Sequence, residues 1–319
     1  VTVTDVAPTL TLSGAATVDE GSSYTLNFSV GSDPGTDTLT GWTINWGDGT
    51  TETVAGSAAS ATHIYADGPA SYTISATASD EDGTYAAANT IAVTVANVAP
   101  TAAITGLPAT STEGTAITLG ATVTDPGTDS FTYTWSVTKG DTECATGTGA
   151  TFTFTPDDNG VYTVTLTATD EDGATGTTSG SVTVTDVAPT LTLSGAATVN
   201  EGSTYTLNFS AGSDPGADAI TGWTINWDDG TEVTLLEAGA ATATHMYADS
   251  GSYTISATAT DEDGQYSKTL AVTVANVAPT AAITGLPATS TEGTAIILSA
   301  TATDPGTDSF TYTWTVTKD

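Results

Sequence analysis

The tetrapeptide Asp5-Val6-Ala7-Pro8 returns as Asn97-Val98-Ala99-Pro100, Asp186-Val187-Ala188-Pro189 and Asn276-Val277-Ala278-Pro279. A repeat of about ninety residues is too long for a solenoid turn and has the size of a small domain, so the chain must fold as a row of similar domains. Residues 5–96 and 186–275 are near copies, as are 97–185 and 276–319, so two kinds of repeat alternate. Residues 1–4 match Val182-Thr183-Val184-Thr185, the last strand of the second kind, and residues 276–319 cover only the first half of that kind. The sequence therefore reads as an excerpt from a longer tandem array.

Within a repeat the apolar residues alternate. Tyr24, Leu26, Phe28 and Val30 share one face, as do Trp42, Ile44 and Trp46, and again Tyr162, Val164, Leu166 and Ala168. Period-two alternation marks half-buried strands. It predicts strands over residues 9–13, 24–30, 41–46, 72–78 and 91–95, with no helical period anywhere. Several short strands separated by turn signals predict an all-β fold, a string of β-sandwiches. Trp46 and Trp227 are expected in the core of one kind of repeat, and Trp135 and Trp314 in the other. Trp42 and Trp223 share the parity of the core residues.

Ile44-Asn45-Trp46-Gly47-Asp48-Gly49-Thr50, then His63-Ile64-Tyr65, then residues 72–80 resemble the PKD-type domain. That resemblance implies an immunoglobulin-like sandwich of the sort found in tandem on cell-surface and secreted proteins, where such domains serve mostly as spacers. Trp227-Asp228-Asp229-Gly230-Thr231 repeats the signature with Asp228 where Gly47 stands. In the second kind of repeat Trp135-Ser136-Val137-Thr138-Lys139-Gly140-Asp141 lacks the turn signature, but residues 154–162 resemble bacterial immunoglobulin-like repeats.

Thirty-seven acids face three Lys plus Arg, a net charge of -34. Such a surface repels phosphate backbones and anionic lipid, which argues against nucleic acid or anionic membranes as partners. No stretch has the apolar length of a membrane-spanning helix, so no membrane insertion is expected from this segment. The lone Cys144 cannot form an internal disulfide. Lys139, Lys268 and Lys318 are too few to supply an autocatalytic Lys-Asn bond to every repeat. A chain this acidic needs neutralisation, and divalent cations are the obvious source.

The acids recur in step with the domains. Ser79-Asp80-Glu81-Asp82-Gly83, Thr169-Asp170-Glu171-Asp172-Gly173 and Thr260-Asp261-Glu262-Asp263-Gly264 each follow a strand. Carboxylates around a turn glycine are hard oxygen ligands suited to Ca2+. On an immunoglobulin-like sandwich these loops share one end with the loop between the second and third strands. The loop between the first and second strands lies at the opposite end. The expected clusters are therefore Asp5, Asp33, Asp37, Asp80 and Asp82; Glu20 with Asn97, Asp125, Asp129, Asp170 and Asp172; Glu113 with Asp186, Asp214, Asp218, Asp261 and Asp263; and Glu201 with Asn276, Asp304 and Asp308. The layout resembles cadherin-type calcium junctions, in which successive domains and their linker share the ions. Formal charges favour two or more ions per joint.

His63 and His245 stand at equivalent places in two copies, which reads as structure, and no nucleophile–base–orienter set is present. The expected function is a non-catalytic, calcium-stiffened stalk or fibre segment of an extracellular or cell-surface protein, adhesin-like or filament-forming. Its partners would be other copies of the repeats or a cell-surface or matrix ligand. The alternative is a carbohydrate-binding or spacer module of a secreted polysaccharide-degrading enzyme, which a solvent-facing row of aromatics would favour.

Overall fold

The structure, a computed structural model, describes residues 1–2, 4–31, 35 and 37–318; every regular element among them is a strand. By contact density the chain forms two compact units. One comprises residues 1–111, 115–155 and 160–184, and the other residues 112–114, 156–159 and 185–319.

In the first unit, residues 5–96 build two facing sheets. Leu10–Gly14, Ser23–Val30 and Ser60–Ile64 form one. Thr17–Asp19, Ile91–Ala96, Ala70–Ser79, Gly41–Asn45 and Thr51–Ala55 form the other, with Thr84–Ala86 paired onto Ala70–Ser79. The alternation sets which side chains meet between the sheets. Tyr24, Leu26 and Phe28 from one sheet pack against Trp42, Ile44, Ile74, Ala76, Val93 and Val95 from the other. Trp42 and Ile44 are fully buried, and burying such a side chain stabilises by about 1.5–3 kcal/mol. Thr17–Asp19 pairs in parallel with Ile91–Ala96, Val18 opposite Val95. Three residues are too few to show a period, so this strand is not visible in the sequence.

The same plan recurs in residues 97–185, where Thr101–Thr105, Ile117–Thr124 and Thr151–Phe154 face the sheet containing Gly160–Thr169 and Thr132–Lys139. Residues 186–275 repeat it in the second unit around Trp223, Ile225 and Trp227. After residue 276, among the described residues, Thr280–Thr284 and Ser299–Thr303 pair as a two-stranded sheet. Trp314 is 45% exposed, against 2% for Trp135.

A half-buried knot of side chains recurs in each repeat of the first kind. His63 stacks on Trp46 with ring centres 4.8 Å apart, and its Nε2 meets Asp48 Oδ2 at 2.7 Å. Asp48 Oδ1 accepts from the Thr50 amide and hydroxyl, and the Tyr65 hydroxyl donates to the Trp46 carbonyl at 2.9 Å. His245, Trp227, Asp229, Thr231 and Tyr247 repeat each bond. Gly47 takes φ +88°, with a Cβ position 2.7 Å from the Thr73 carbonyl. In the other copy Asp228 holds φ +67°, and its carboxylate accepts the Thr254 amide at 2.8 Å. That bond offsets the strain an L residue meets there.

Candidate metal centres

The first three repeats each carry a Glu-Gly turn. Glycine at φ +66°, +68° and +69° in Gly21, Gly114 and Gly202 lets the loop press against a proline further along the chain. Their Cβ positions would lie 2.6, 2.4 and 2.6 Å from the Cβ atoms of Pro126, Pro215 and Pro305. The preceding glutamates are almost wholly buried: Glu20 is 0%, Glu113 1% and Glu201 1% exposed. In each, Oε1 accepts a backbone N–H just after the linker residue, from Val98 at 2.7 Å, Val187 at 2.6 Å and Val277 at 2.6 Å. Glu113 Oε2 and Glu201 Oε2 are buried and have no hydrogen-bond partner.

The Asp-Pro-Gly-x-Asp loops face these glutamates. Asp125, Asp214 and Asp304 each turn one oxygen onto the glycine amide two residues on, at 2.8, 3.1 and 2.7 Å. Oδ2 of each is left buried and unpartnered, as are both carboxylate oxygens of Asp129 and of Asp218. The glycine between them is a spatial necessity. A Cβ at Gly127 would sit 2.6 Å from Asp129 Oδ2 and from the Glu20 carboxyl carbon, and one at Gly216 would sit 2.6 Å from Asp218 Oδ2.

In the Asp-Glu-Asp-Gly loops the first acid is largely spent on its own turn. Asp80, Asp170 and Asp261 each accept two backbone amides on Oδ1. The middle glutamate pins the neighbouring loop, Glu171 through the Ser130 hydroxyl at 2.7 Å and Glu262 through the Ala219 amide at 3.4 Å. The linker residue differs between the two kinds of repeat. Asp5 and Asp186 accept from the hydroxyls of Tyr85 and Tyr266. Asn97 instead donates to Asp170 Oδ2 at 3.1 Å. The Asn276 amide, with nitrogen inward, reaches Glu201 Oε1 at 2.8 Å and Asp308 Oδ2 at 3.1 Å.

Among the described residues, five groups of three carboxylates result, each offering oxygens within 4.8 Å of one another: Asp5, Asp37 and Asp82; Glu20, Asp67 and Asp129; Glu113, Asp186 and Asp218; Asp158, Asp218 and Asp263; Glu201, Asp304 and Asp308. Of the expected residues, Asp33 lies outside the described residues. Asp172 is exposed and joins none of these groups, and Asp80, Asp170 and Asp261 serve as turn acceptors beside them. Three acids in this part of the fold were not expected: Asp67, Asp158 and Asp249. Ala66, Asp157 and Ala248, the residue before each, accept through their carbonyls the amides of Thr128, Ala217 and Thr307, which fixes this loop beside the Asp-Pro-Gly turn.

The electrostatics follow from the crowding. Burial first, then the charges of Glu113, Asp263, Asp214 and Glu262, push Asp218 up to about 7. Burial and the charges of Glu20, Asp125, Asp67 and Asp170 push Asp129 up to about 6. Glu113 is raised by burial and by Asp186 and Asp214, although the Val187 amide opposes the shift. Asp308 is raised by burial and by Glu201, Asp304 and Asp249. Burial also acts to raise Asp170, but bonds from Asn97 and from the Ala174, Gly173 and Asp172 amides outweigh it and hold it low. Unpartnered, buried carboxylate oxygens at such separations are costly alone and fit a hard divalent cation bound through oxygen.

A family profile described as PKD domain matches residues 5–95, 97–185 and 186–275. No curated protein matches the chain at a significant level. Among solved structures, the tetra-tandem repeat in the extending region of a large adhesion protein is 20% identical, with a TM-score of 0.34 over 87% of this chain and 76% of that one. The fibronectin(III)-like modules of Clostridium thermocellum CbhA are 17% identical, with a TM-score of 0.24 over 55% and 92%. The FN1-FN3 domains of chicken CNTN1 are 13% identical, with a TM-score of 0.28 over 84% and 98%.

Proposed function

The chain belongs to the PKD-domain family, and from that membership we propose that it is a non-catalytic stalk or fibre segment of an extracellular protein, its successive repeats stiffened by Ca2+. One observation carries the reading. Buried carboxylate oxygens without partners, Glu113 Oε2 and both oxygens of Asp218 among them, converge from the Glu-Gly turn of one repeat and the Asp-Pro-Gly loop of the next. A linker that owes its charge balance to a shared cation bends freely without the ion and stiffly with it. The donor set is all oxygen and mostly carboxylate, which favours Ca2+ over softer metals. The tryptophans of the first three repeats are buried or nearly so, which gives a sugar-binding platform no support there.

Small-angle scattering of the whole chain tests the proposal. Its maximum dimension should lengthen and its profile become more rod-like when calcium replaces chelator, with saturable calcium uptake by calorimetry under the same conditions. An identical profile in both buffers, or no uptake, removes the proposal.

A further inference from the structure

Two of the five carboxylate groups have a member in common. Glu113, Asp186 and Asp218 form one; Asp158, Asp218 and Asp263 form the other. Asp218 is the shared residue, and neither of its oxygens reaches solvent or a hydrogen-bond donor. Beside it, Glu113 is 1% exposed and its Oε2 is likewise unpartnered. The Gly216 backbone lies against both side chains: its Cβ position is 2.6 Å from Asp218 Oδ2 and 2.9 Å from Glu113 Oε2. Asp263 is held on the other side by the Asn159 amide, which donates to its Oδ1. All five acids, together with the residue 156–159 loop that carries Asp158 and Asn159, belong to the second compact unit.

We propose that Asp218 bridges two divalent cations, one bound with Glu113 and Asp186 and a second bound with Asp158 and Asp263. The inference rests on the calcium reading above and adds a second ion with its own ligands. A carboxylate whose two oxygens are both buried and unpartnered can give one to each ion. Ions joined in this way lie about 3.5–4 Å apart.

The test is native mass spectrometry of the calcium-loaded full chain beside Asp158→Asn, Asp263→Asn and the double variant. Each single variant should carry one calcium fewer than the parent, and the double should lose the same single ion. Unchanged counts in both single variants, with the parent still calcium-bound, overturn the second ion and leave the stiffening role standing. A double variant that loses two ions also overturns it, since the two acids would then serve separate ions. A parent that takes up no calcium overturns both readings. A second measurement is independent of these counts. With Mn2+ as probe, the parent should give a spin-coupled pair signal that Asp218→Asn abolishes, and a parent showing only isolated-ion lines overturns the bridge.

Discussion

The Val187 amide donates to Glu113 Oε1 at 2.6 Å, which leaves Oε2 buried and without a partner. The bond recurs at Val98 and Glu20, but there Oε2 is also used, accepting the Gly68 amide at 2.7 Å. In that cluster the unpartnered carboxylate oxygens are both of Asp129 and Oδ2 of Asp125. The first half of each glutamate is thus committed to chain geometry, and what remains differs from cluster to cluster.

Glu113→Gln keeps the acceptor that Val187 uses and removes the charge. Calcium affinity of the full chain should fall by about 1–3 kcal/mol at that site, the range for hydrogen bonds and contacts involving charged groups. In chelator the variant should melt no lower than the parent, because it relieves repulsion with Asp186 and Asp214. Calorimetry gives the first quantity and circular dichroism melting the second; equal calcium affinity in parent and variant would show Glu113 to be a turn residue only.

Gly127→Ala should disrupt the Glu20 cluster through space alone, since the added methyl overlaps Asp129 Oδ2 and the Glu20 carboxyl. A cost of about 1–3 kcal/mol is expected for overpacking, read as a lower melting temperature in calcium. Gly239→Ala is the matched control, because nothing lies within 4 Å of its Cβ position. Equal melting of the two variants would contradict the close approach.

Ion-free protein should be most stable in mild acid. Asp218 at about 7 and Asp129 at about 6 both lie above the ordinary aspartate value of about 3.9. The folded state therefore holds these protons more tightly than the unfolded chain does. Their contribution is complete below about pH 4 and is lost as pH rises through 6 and 7. Melting in chelator should fall between about pH 5 and pH 8. Saturating calcium, which competes with the same protons, should flatten or reverse the trend. A chelated chain equally stable at both values would speak against the crowding.

His63→Ala should destabilise the first repeat by about 1–3 kcal/mol, since it leaves the buried face of Trp46 bare and Asp48 without its 2.7 Å partner. Asp48 is held low by the Thr50 and His63 bonds, which outweigh its burial. Its contribution is present above about pH 4 and lost on further acidification. The variant should accordingly lose the steep part of the acid unfolding curve. An unaltered curve would argue that the His63–Asp48 bond contributes little.

Strands with strict alternation were legible because one face of each is wholly buried, as Tyr24, Leu26 and Phe28 show. Glu20, Glu113 and Glu201 were legible because a glycine follows each and the pair recurs. Asp67 and Asp249 recur as Tyr65-Ala66-Asp67 and Tyr247-Ala248-Asp249, but Asp158 lies in a different context, and the followers Gly68, Asn159 and Ser250 share no turn signal that would mark the three as one set. The carbonyl of the preceding residue, an interaction without a side-chain signature, fixes the backbone beside each of them.

The loops holding Glu113 and Asp158 are grouped by contact with the residues after Thr185, not with the repeat that encodes them. A recombinant cassette cut at the Asp-Val-Ala-Pro boundary would therefore divide one carboxylate cluster between two pieces. Anyone shuffling, lengthening or transplanting these repeats has to carry the loops as overhangs, so that each inserted part brings the acids its new neighbour packs against. The sequence period counts the repeats, but the part that can be exchanged is staggered against it.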